Sequence, residues 1–500
     1  MESSIHIQAF FAGRSIFITG ATGFMGKVLI EKLLRSCPDI AKLYLLMRPK
    51  KGNGINDRLK KLLNNALFDK LRTERPSTFD KLVPVMGDAT SVGLGLLPAD
   101  RQMLIDKVSV IFHIAASVRF DDSLKDAIFA NTRSTRDVCI LACSMKKLAV
   151  LLHVSSTYAH IDKPVIDEVL YPAEVDWRRV IEIAETIDEH VLKMLTAKYI
   201  GAMPNTYIFT KRLAEQVISD YAESLPCVIL RPSIVISTVE EPIKGWLDNF
   251  NGPFGMLIGA AKGILRVTYA NPVIKNDFIP VDLAIKIMII ASWVRGLKTI
   301  SEDKTVHVYN CSADQTKAIT IMQMQQMGLD ILKDIPMENT FWIPNTMLTK
   351  NRLVYYILML LLHIFPAICI DTIIKLYGAR PMLLRLQRTV YVSNSALSHF
   401  LLNEWSFKND KCRDLIDNLN TENKKYFGYN YMDINIREYL RNGLIGTKLY
   451  LLHENNLEAA KLHRKRMVWL QRIIMIMFTI FILWILQRKN ILAHILNVYV

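Results

Sequence analysis

Short apolar runs alternate with longer stretches of mixed polarity from residue 14 to about residue 340. Ser15–Thr19, Lys42–Met47, Lys81–Met86, Val108–His113, Leu148–Ser155 and Cys227–Pro232 are too short and too uniformly apolar for amphipathic helices, and read as buried strands. Helical spacing of apolar positions falls between them, for example over Lys27–Arg35 and Asn131–Ser144. Strand, helix, strand in regular alternation predicts a doubly wound, parallel α/β sheet of the Rossmann type. No internal repeat or low-complexity segment interrupts it.

The alternation stops near residue 345. Leu353–Leu362 is strongly apolar, His363 interrupts it, and Pro366 predicts a helix break. The stretch to Ile370 therefore reads as an amphipathic or buried hairpin rather than a span. Residues 375–450 mix aromatic and basic positions in a helical region. Met467–Leu486 then supplies the run of about 20 apolar residues that a transmembrane helix needs. Gln471 and Arg472 lie near its start, where Arg can reach the interface. Lys461, Arg464, Lys465 and Arg466 precede it, and Arg488 and Lys489 follow. The heavier charge before the span predicts that the rest of the chain stays cytosolic. The expected divisions are residues 1–345 for a nucleotide-binding domain that includes the substrate part, 346–460 for a mainly helical C-terminal domain, and 467–487 for the anchor.

Length and composition fit this layout. Five hundred residues suit two or three folding units, and 51% hydrophobic residues supply a core with a surplus for a membrane. Met1–Phe11 lacks the pattern of a secretory signal. A net charge of +15 favours acidic partners: anionic lipid, polyphosphate ligands such as NADPH or coenzyme A, or nucleic acid. No nucleic-acid module appears, so nucleic acid is not expected as a partner. Seven scattered cysteines, without a Cys-x-x-Cys pair, fit a reducing compartment and offer no zinc site.

Candidate chemistry begins after the first strand. Thr19-Gly20-Ala21-Thr22-Gly23-Phe24-Met25-Gly26 is a strand that turns on glycines into a helix. Small residues let the backbone approach a pyrophosphate, which the helix N-terminus favours electrostatically. Gly20, Thr22, Gly23, Phe24, Met25 and Gly26 are therefore expected at the cofactor. The second strand ends in Arg48-Pro49-Lys50-Lys51, where an acid would select NAD. Arg48 suits the 2′-phosphate of NADPH instead; a solvated basic turn is the alternative. Asp88 is placed either at the adenine or as a turn cap. After the fourth strand, Ala115 and Ala116 would let the cofactor lie against the backbone, while His113 reads as an interior histidine.

Ser156, Tyr207 and Lys211 form the expected catalytic group. Tyr207 and Lys211, four apart, project from one helical face. An adjacent ammonium would lower the tyrosine pKa toward useful acid–base range. Ser156 would hold a carbonyl oxygen as charge develops on it. Ser155 is the alternative hydroxyl. Gly245–Pro253, rich in turn formers, reads as a loop over the pocket.

On these residues the chain resembles the extended short-chain dehydrogenase/reductases, and within them the insect-type, alcohol-forming fatty acyl-CoA reductases. The glycine run through Lys27 is similar to their N-terminal fingerprint. His113 to Phe120, with Asn131, is similar to the next block. His153-Val154-Ser155-Ser156-Thr157-Tyr158 resembles the block with the active-site Ser or Thr, with Ser156 at that place. Tyr207 to Lys211 matches the Tyr-Lys pair. Arg231-Pro232-Ser233-Ile234-Val235 matches the segment near the nicotinamide, which adds Pro232 and Ile234 to the expected cofactor residues. Glu241 to Asn249, with Asn251-Gly252-Pro253, separates these reductases from sugar epimerases, and Asp277 to Asp282 is a further shared block. The Leu353–Asp371 section resembles their C-terminal domain. Ser156 stands where many members have threonine, and Lys244 where proline is frequent; the first keeps a hydroxyl and the second leaves only the loop's shape open.

The resemblance implies reduction of a long-chain acyl-CoA to a primary alcohol with two NADPH, through a bound aldehyde, with release of coenzyme A. Such chemistry serves fatty alcohol and wax synthesis. It also implies that Lys211 binds the nicotinamide ribose and that the enzyme works at the bilayer of the endoplasmic reticulum or peroxisome. The C-terminal domain and the Leu353–Ile370 segment are expected to help receive the acyl chain. Assembly as a homo-oligomer is left open. Competing readings are a hydroxysteroid dehydrogenase or nucleotide-sugar epimerase or dehydratase on the same fold, and an idle, membrane-anchored lipid- or NADPH-binding protein.

Overall fold

The computed structural model describes residues 6–49, 52, 54–172, 175–250, 253–313 and 318–488. Met1–Ile5, Lys50, Lys51, Asn251, Gly252 and Lys489, on which parts of the sequence reading rest, lie outside them. Two compact units emerge, interleaved along the chain: Met1–Asn249 with Ile274–Ile319 and Asn403–Leu451, and Phe250–Val273 with Thr320–Leu402 and Leu452–Val500.

The first unit holds a seven-stranded parallel sheet. Its strands are β1 (Ser15–Thr19), β2 (Lys42–Met47), β3 (Leu82–Met86), β4 (Val108–His113), β5 (Val150–Val154), β6 (Cys227–Pro232) and β7 (His307–Cys311), in the spatial order β7-β6-β5-β4-β1-β2-β3. The order reverses between β1 and β4, and that crevice at the carboxyl ends is where doubly wound sheets bind ligands. Period-two alternation sends Ile16, Ile18, Val110, Phe112, Leu152 and Leu230 into one core and Phe17, Ile111, Leu151 and Ile229 into the other. Both faces are covered, which is why the strands read as continuous apolar runs. Six of the strands follow the sequence expectation closely; β7 was not expected.

Helix α1 (Phe24–Ser36) follows the glycine turn, and α2 (Ser134–Cys143) is entered through a wide π turn at Ile128–Arg133. Helix α3 (Thr206–Tyr221) is capped by the Asn205 side chain, which accepts from the Ile208 N–H. Helix α4 (Val281–Gly296) is buried along almost its whole length. Residues 245–249 are irregular, as expected of a loop. Gly245, Trp246 and Leu247 are buried, and the Trp246 ring stacks on Phe24 at 5.5 Å. Lys27 adds an ion pair to Asp248.

The second unit contains a short parallel pair, Val267–Tyr269 with Met347–Thr349, and helices that include Arg352–Leu376, Leu383–Leu402 and Leu457–Arg488. The break expected at Pro366 does not occur. A π turn over Leu360–Ile364 precedes Phe365–Leu376, and Pro366 falls in the first turn of that segment. The wider π turn before it accommodates the ring and the missing N–H without ending the helix.

Candidate functional site

The glycines of the β1–α1 turn are required by contact. Gly20 has φ +75°, and a Cβ there would stand 2.7 Å from the Ala115 backbone nitrogen. A Cβ on Gly26 would stand 2.3 Å from the Gly20 carbonyl oxygen. The turn is thus drawn tight, and α1 begins at Phe24 with N–H groups that have no intrahelical acceptor. A pyrophosphate fits this cradle. The Phe24 side chain is committed to Trp246, so its contribution to a cofactor is backbone. Met25 is half-buried beside it.

Thr19 and His113 fix the adjoining strand ends. The Thr19 hydroxyl bonds His113 Nδ1 at 2.8 Å and accepts from the Ala115 N–H at 3.2 Å. Because the Thr135 hydroxyl donates to the Asn131 carbonyl, it accepts from His113 Nε2–H at 3.0 Å. That leaves Nδ1 as the acceptor. Burial, with Lys211 nearby, pushes the His113 pKa down to about 3, so this is the neutral interior histidine its position predicts. Asn131, in the π turn, accepts from the Ser117 N–H and donates to the Ser117 carbonyl and the Thr210 hydroxyl. It ties the loop that carries Ala115 and Ala116 to α3.

Two basic side chains stand at the end of β2. Arg48 approaches Asp88 at 3.7 Å, with both groups partly in solvent. Arg58, on the helix Ile55–Leu63, donates to the Arg48 carbonyl and lies 3.5 Å from the Thr22 hydroxyl. Burial and the positive charge of Arg48 both lower its pKa. Sequence reading missed Arg58, since its position depends on the path of the intervening loop. Asp88 accepts from both the N–H and the hydroxyl of Thr90, which makes it a turn cap whose second oxygen faces Arg48.

The structure separates the two serines after β5. Ser155 is buried and donates to Glu215 at 2.5 Å. Ser156 accepts from the Tyr158 N–H at 3.2 Å, and its side chain is close enough to the Tyr207 hydroxyl to favour that group's ionised form. Lys211, also on α3, donates to the Val154 carbonyl at 2.6 Å. Ser156, Tyr207 and Lys211 are thus brought together at the end of β5. Pro232 ends β6, which lies beside β5, and Ile234 begins a short strand that pairs with Phe278–Pro280 in a separate two-stranded sheet.

The electrostatics differ from the expectation in one respect. Burial pushes Tyr207 up to about 12, only partly opposed by the nearby Ser156 side chain. The ammonium expected to lower it is engaged by Val154. Burial in turn lowers Lys211 to about 8, against the opposing pull of Glu215. Glu215 is a second residue that sequence reading missed, although Tyr207, Lys211 and Glu215 repeat every four residues along one face. It accepts from Arg231 at 2.8 and 2.6 Å and bonds His160 at 2.8 Å. Burial opposes its charge, but the Arg231 guanidinium outweighs that and holds the carboxyl well below its usual range. No group of His, Cys, Asp and Glu able to hold a metal ion occurs among the described residues.

Comparison with known proteins supplies the chemistry around this geometry. Residues 18–288 match an NAD-binding family model described as "Male sterility protein", and residues 362–454 match a second with the same description. Fatty acyl-CoA reductase 1 of Mus musculus is 37% identical over 93% of this chain and 90% of its own. A putative fatty acyl-CoA reductase of Drosophila melanogaster is 38% identical over 92% and 90%. Among solved structures, the terminal R domain of the myxalamid PKS-NRPS pathway superposes with a TM-score of 0.59 at 17% identity, over 89% of this chain and 93% of that one. The reductase domain of a nonribosomal peptide synthetase from Mycobacterium tuberculosis gives 0.57 at 18%, over 87% and 92%. These two share the fold.

Proposed function

We propose a course of reaction for this chain, which belongs to the fatty acyl-CoA reductase family and is an oxidoreductase with a nicotinamide cofactor. The proposal is that a long-chain acyl-CoA is taken to the primary alcohol in one site, with two NADPH consumed and coenzyme A released. The observation that carries it is the convergence of Ser156, Tyr207 and Lys211 at the carboxyl edge of the sheet, where the Lys211 ammonium donates to the Val154 carbonyl two residues before Ser156.

When bound, NADPH would supply hydride to the carbonyl carbon. Ser156 and Tyr207 hold the carbonyl oxygen, and Tyr207, kept protonated by its raised pKa, gives that oxygen its proton. Lys211 orients the ribose and returns positive charge to the site. Gly20, Thr22, Gly23 and Gly26, with the N–H groups of Phe24 and Met25, receive the pyrophosphate. Ala115, Ala116, Pro232 and Ile234 border the nicotinamide half. Asp88 borders the adenine. Arg48 and Arg58 take the 2′-phosphate, which is the support for NADPH over NADH.

The helix Leu457–Arg488 is a candidate C-terminal membrane anchor. Its basic N-terminal flank supports a cytosolic catalytic unit on the endoplasmic reticulum or peroxisome. Membranes from cells expressing the chain, given acyl-CoAs of graded length with NADPH or NADH, test the reading by mass spectrometry of the lipid products. Alcohol that appears with NADPH, and is lost in Tyr207→Phe, supports it. A folded, NADPH-binding protein that gives neither alcohol nor aldehyde refutes it.

A further inference from the structure

The helix Arg352–Leu376 divides its side chains sharply. Tyr355, Met359, His363, Ala367 and Asp371, each four residues beyond the last, are buried. Around that stripe Leu353, Ile357, Leu360, Phe365, Ile373 and Leu376 leave between 49% and 81% of their surface open. Contiguous apolar surface of this kind marks an interaction site far more often than a free surface.

The inward stripe is fixed to the unit by its polar members. His363 Nε2 accepts from the Arg266 and Val267 N–H groups at 3.1 Å each, and Nδ1–H donates to Gln387 at 2.7 Å. The Asp371 carboxylate accepts from the N–H groups of Met382, Leu383 and Leu384, and so caps Leu383–Leu402. A helix bound in this way cannot move to the bilayer centre without its polar partners, and exposing those partners to hydrocarbon is costly. It is long enough to span, yet held on its side.

Charge indicates what covers the open face. From Lys350 to Leu402 the basic residues are Lys350, Arg352, Lys375, Arg380, Arg385 and Arg388, all exposed, while the one acid, Asp371, is buried. Apolar surface edged by cations alone complements acyl chains beneath anionic headgroups. The same compact unit carries the candidate anchor, tied to it by the Lys262–Glu454 ion pair and by His463, which bonds the Thr340 carbonyl.

We propose that the outer face of Arg352–Leu376 lies in the plane of an anionic membrane surface, as a second contact besides the anchor, with its side chains about 5–10 Å into the headgroup–acyl boundary. Two contacts would hold the unit at a set height and orientation where the anchor alone would only tether it.

Cys369 lies on this helix among the open positions, and Cys143 is the other exposed thiol among the described residues. The full chain with Cys143→Ser, labelled at Cys369 with an environment-sensitive fluorophore, is reconstituted into vesicles of phosphatidylcholine and phosphatidylserine. Nitroxides are placed near the carbonyl end or the methyl end of the acyl chains. The interfacial position predicts quenching at least about twofold stronger from the shallow nitroxide than from the deep one. Stronger quenching from the deep nitroxide would mean a span. No quenching from either would mean that water or a second copy of the chain covers the face. Either result overturns the proposal.

Discussion

The Nζ of Lys211 donates to the carbonyl oxygen of Val154 at 2.6 Å, two residues before Ser156. That contact holds α3 against β5 where Tyr207 and Ser156 approach one another. With its pKa raised to about 12, Tyr207 remains a phenol across the physiological range and serves as an acid. Tyr207→Phe should lose about 10²-fold or more in kcat. Nicotinamide binding and circular dichroism should stay near wild type, because the ring itself is kept.

The pH profile should report Lys211. With its pKa at about 8, the ammonium is lost as pH climbs through that value, and kcat/KM should fall there. Glu215→Gln removes the charge that holds the value up, so the fall should move to lower pH. Stability moves the other way. The folded pKa lies below the unfolded value of 10.5, so the folded state binds fewer protons between them, and this group's contribution to stability increases over that interval. A loss of rate above about pH 8 without a drop in Tm separates the titration from unfolding.

The two serines should part company. Ser156→Ala removes a group at the reacting oxygen and should cost about 10²-fold in kcat. Ser155→Ala breaks a buried bond to the charged Glu215, and should lower stability by about 1.5–3 kcal/mol while leaving most of the turnover intact. Thermal melts and steady-state kinetics on both variants check this.

Cofactor choice should depend on Arg58 as well as Arg48. Either arginine changed to Ala should raise the KM for NADPH by about tenfold or more, the scale of one hydrogen bond to a charged group. The KM for NADH, which lacks the 2′-phosphate, should change little. An Arg58→Ala enzyme with an unaltered NADPH KM would remove this residue from the site.

A buried charge cluster gives a stability prediction. Glu241 meets Lys32 at 2.8 Å, Arg35 at 2.6 Å and Lys286 at 2.9 Å. Burial works against its charge, but these cations outweigh it and hold the pKa at about 2. Its contribution is present above the ordinary carboxylate value and fades as pH falls toward 2. Glu241→Gln should therefore cost about 3–5 kcal/mol near neutral pH by taking the carboxylate from the buried Lys32 and Lys286 ammoniums, while Arg35 keeps its pair with Glu31. Wild type and variant should converge in strong acid, as read by chemical denaturation.

What could be read from the sequence was what local geometry dictates. Strands buried on both faces announce themselves as apolar runs, the glycine turn is dictated by a backbone approach, and the Tyr207–Lys211 pair by one turn of helix. Strand β7 escaped because it carries Asn310, a buried amide that bonds the carbonyls of Ile166 and Lys408. Those partners come from distant parts of the chain. Arg58 and the Ser155–Glu215 bond escaped for the same reason. Trp246 was legible only as part of a loop over the pocket: turn formers mark the loop, whereas its burial depends on the Phe24 ring and the Gly446 backbone, which come from distant parts of the chain.

Gly245 and Gly446 meet backbone to backbone, so that a Cβ on Gly446 would fall 1.8 Å from the Gly245 carbonyl oxygen. The helix Ile436–Gly446 is therefore a structural wall for the segment that stacks on the cofactor turn. Cutting the chain after the last sheet strand would uncover Trp246 and leave the nucleotide cradle without its outer support. A working version of the enzyme freed of its anchor should be sought by excising the apolar tail and retaining residues 403–451, because these belong to the same compact unit as the sheet.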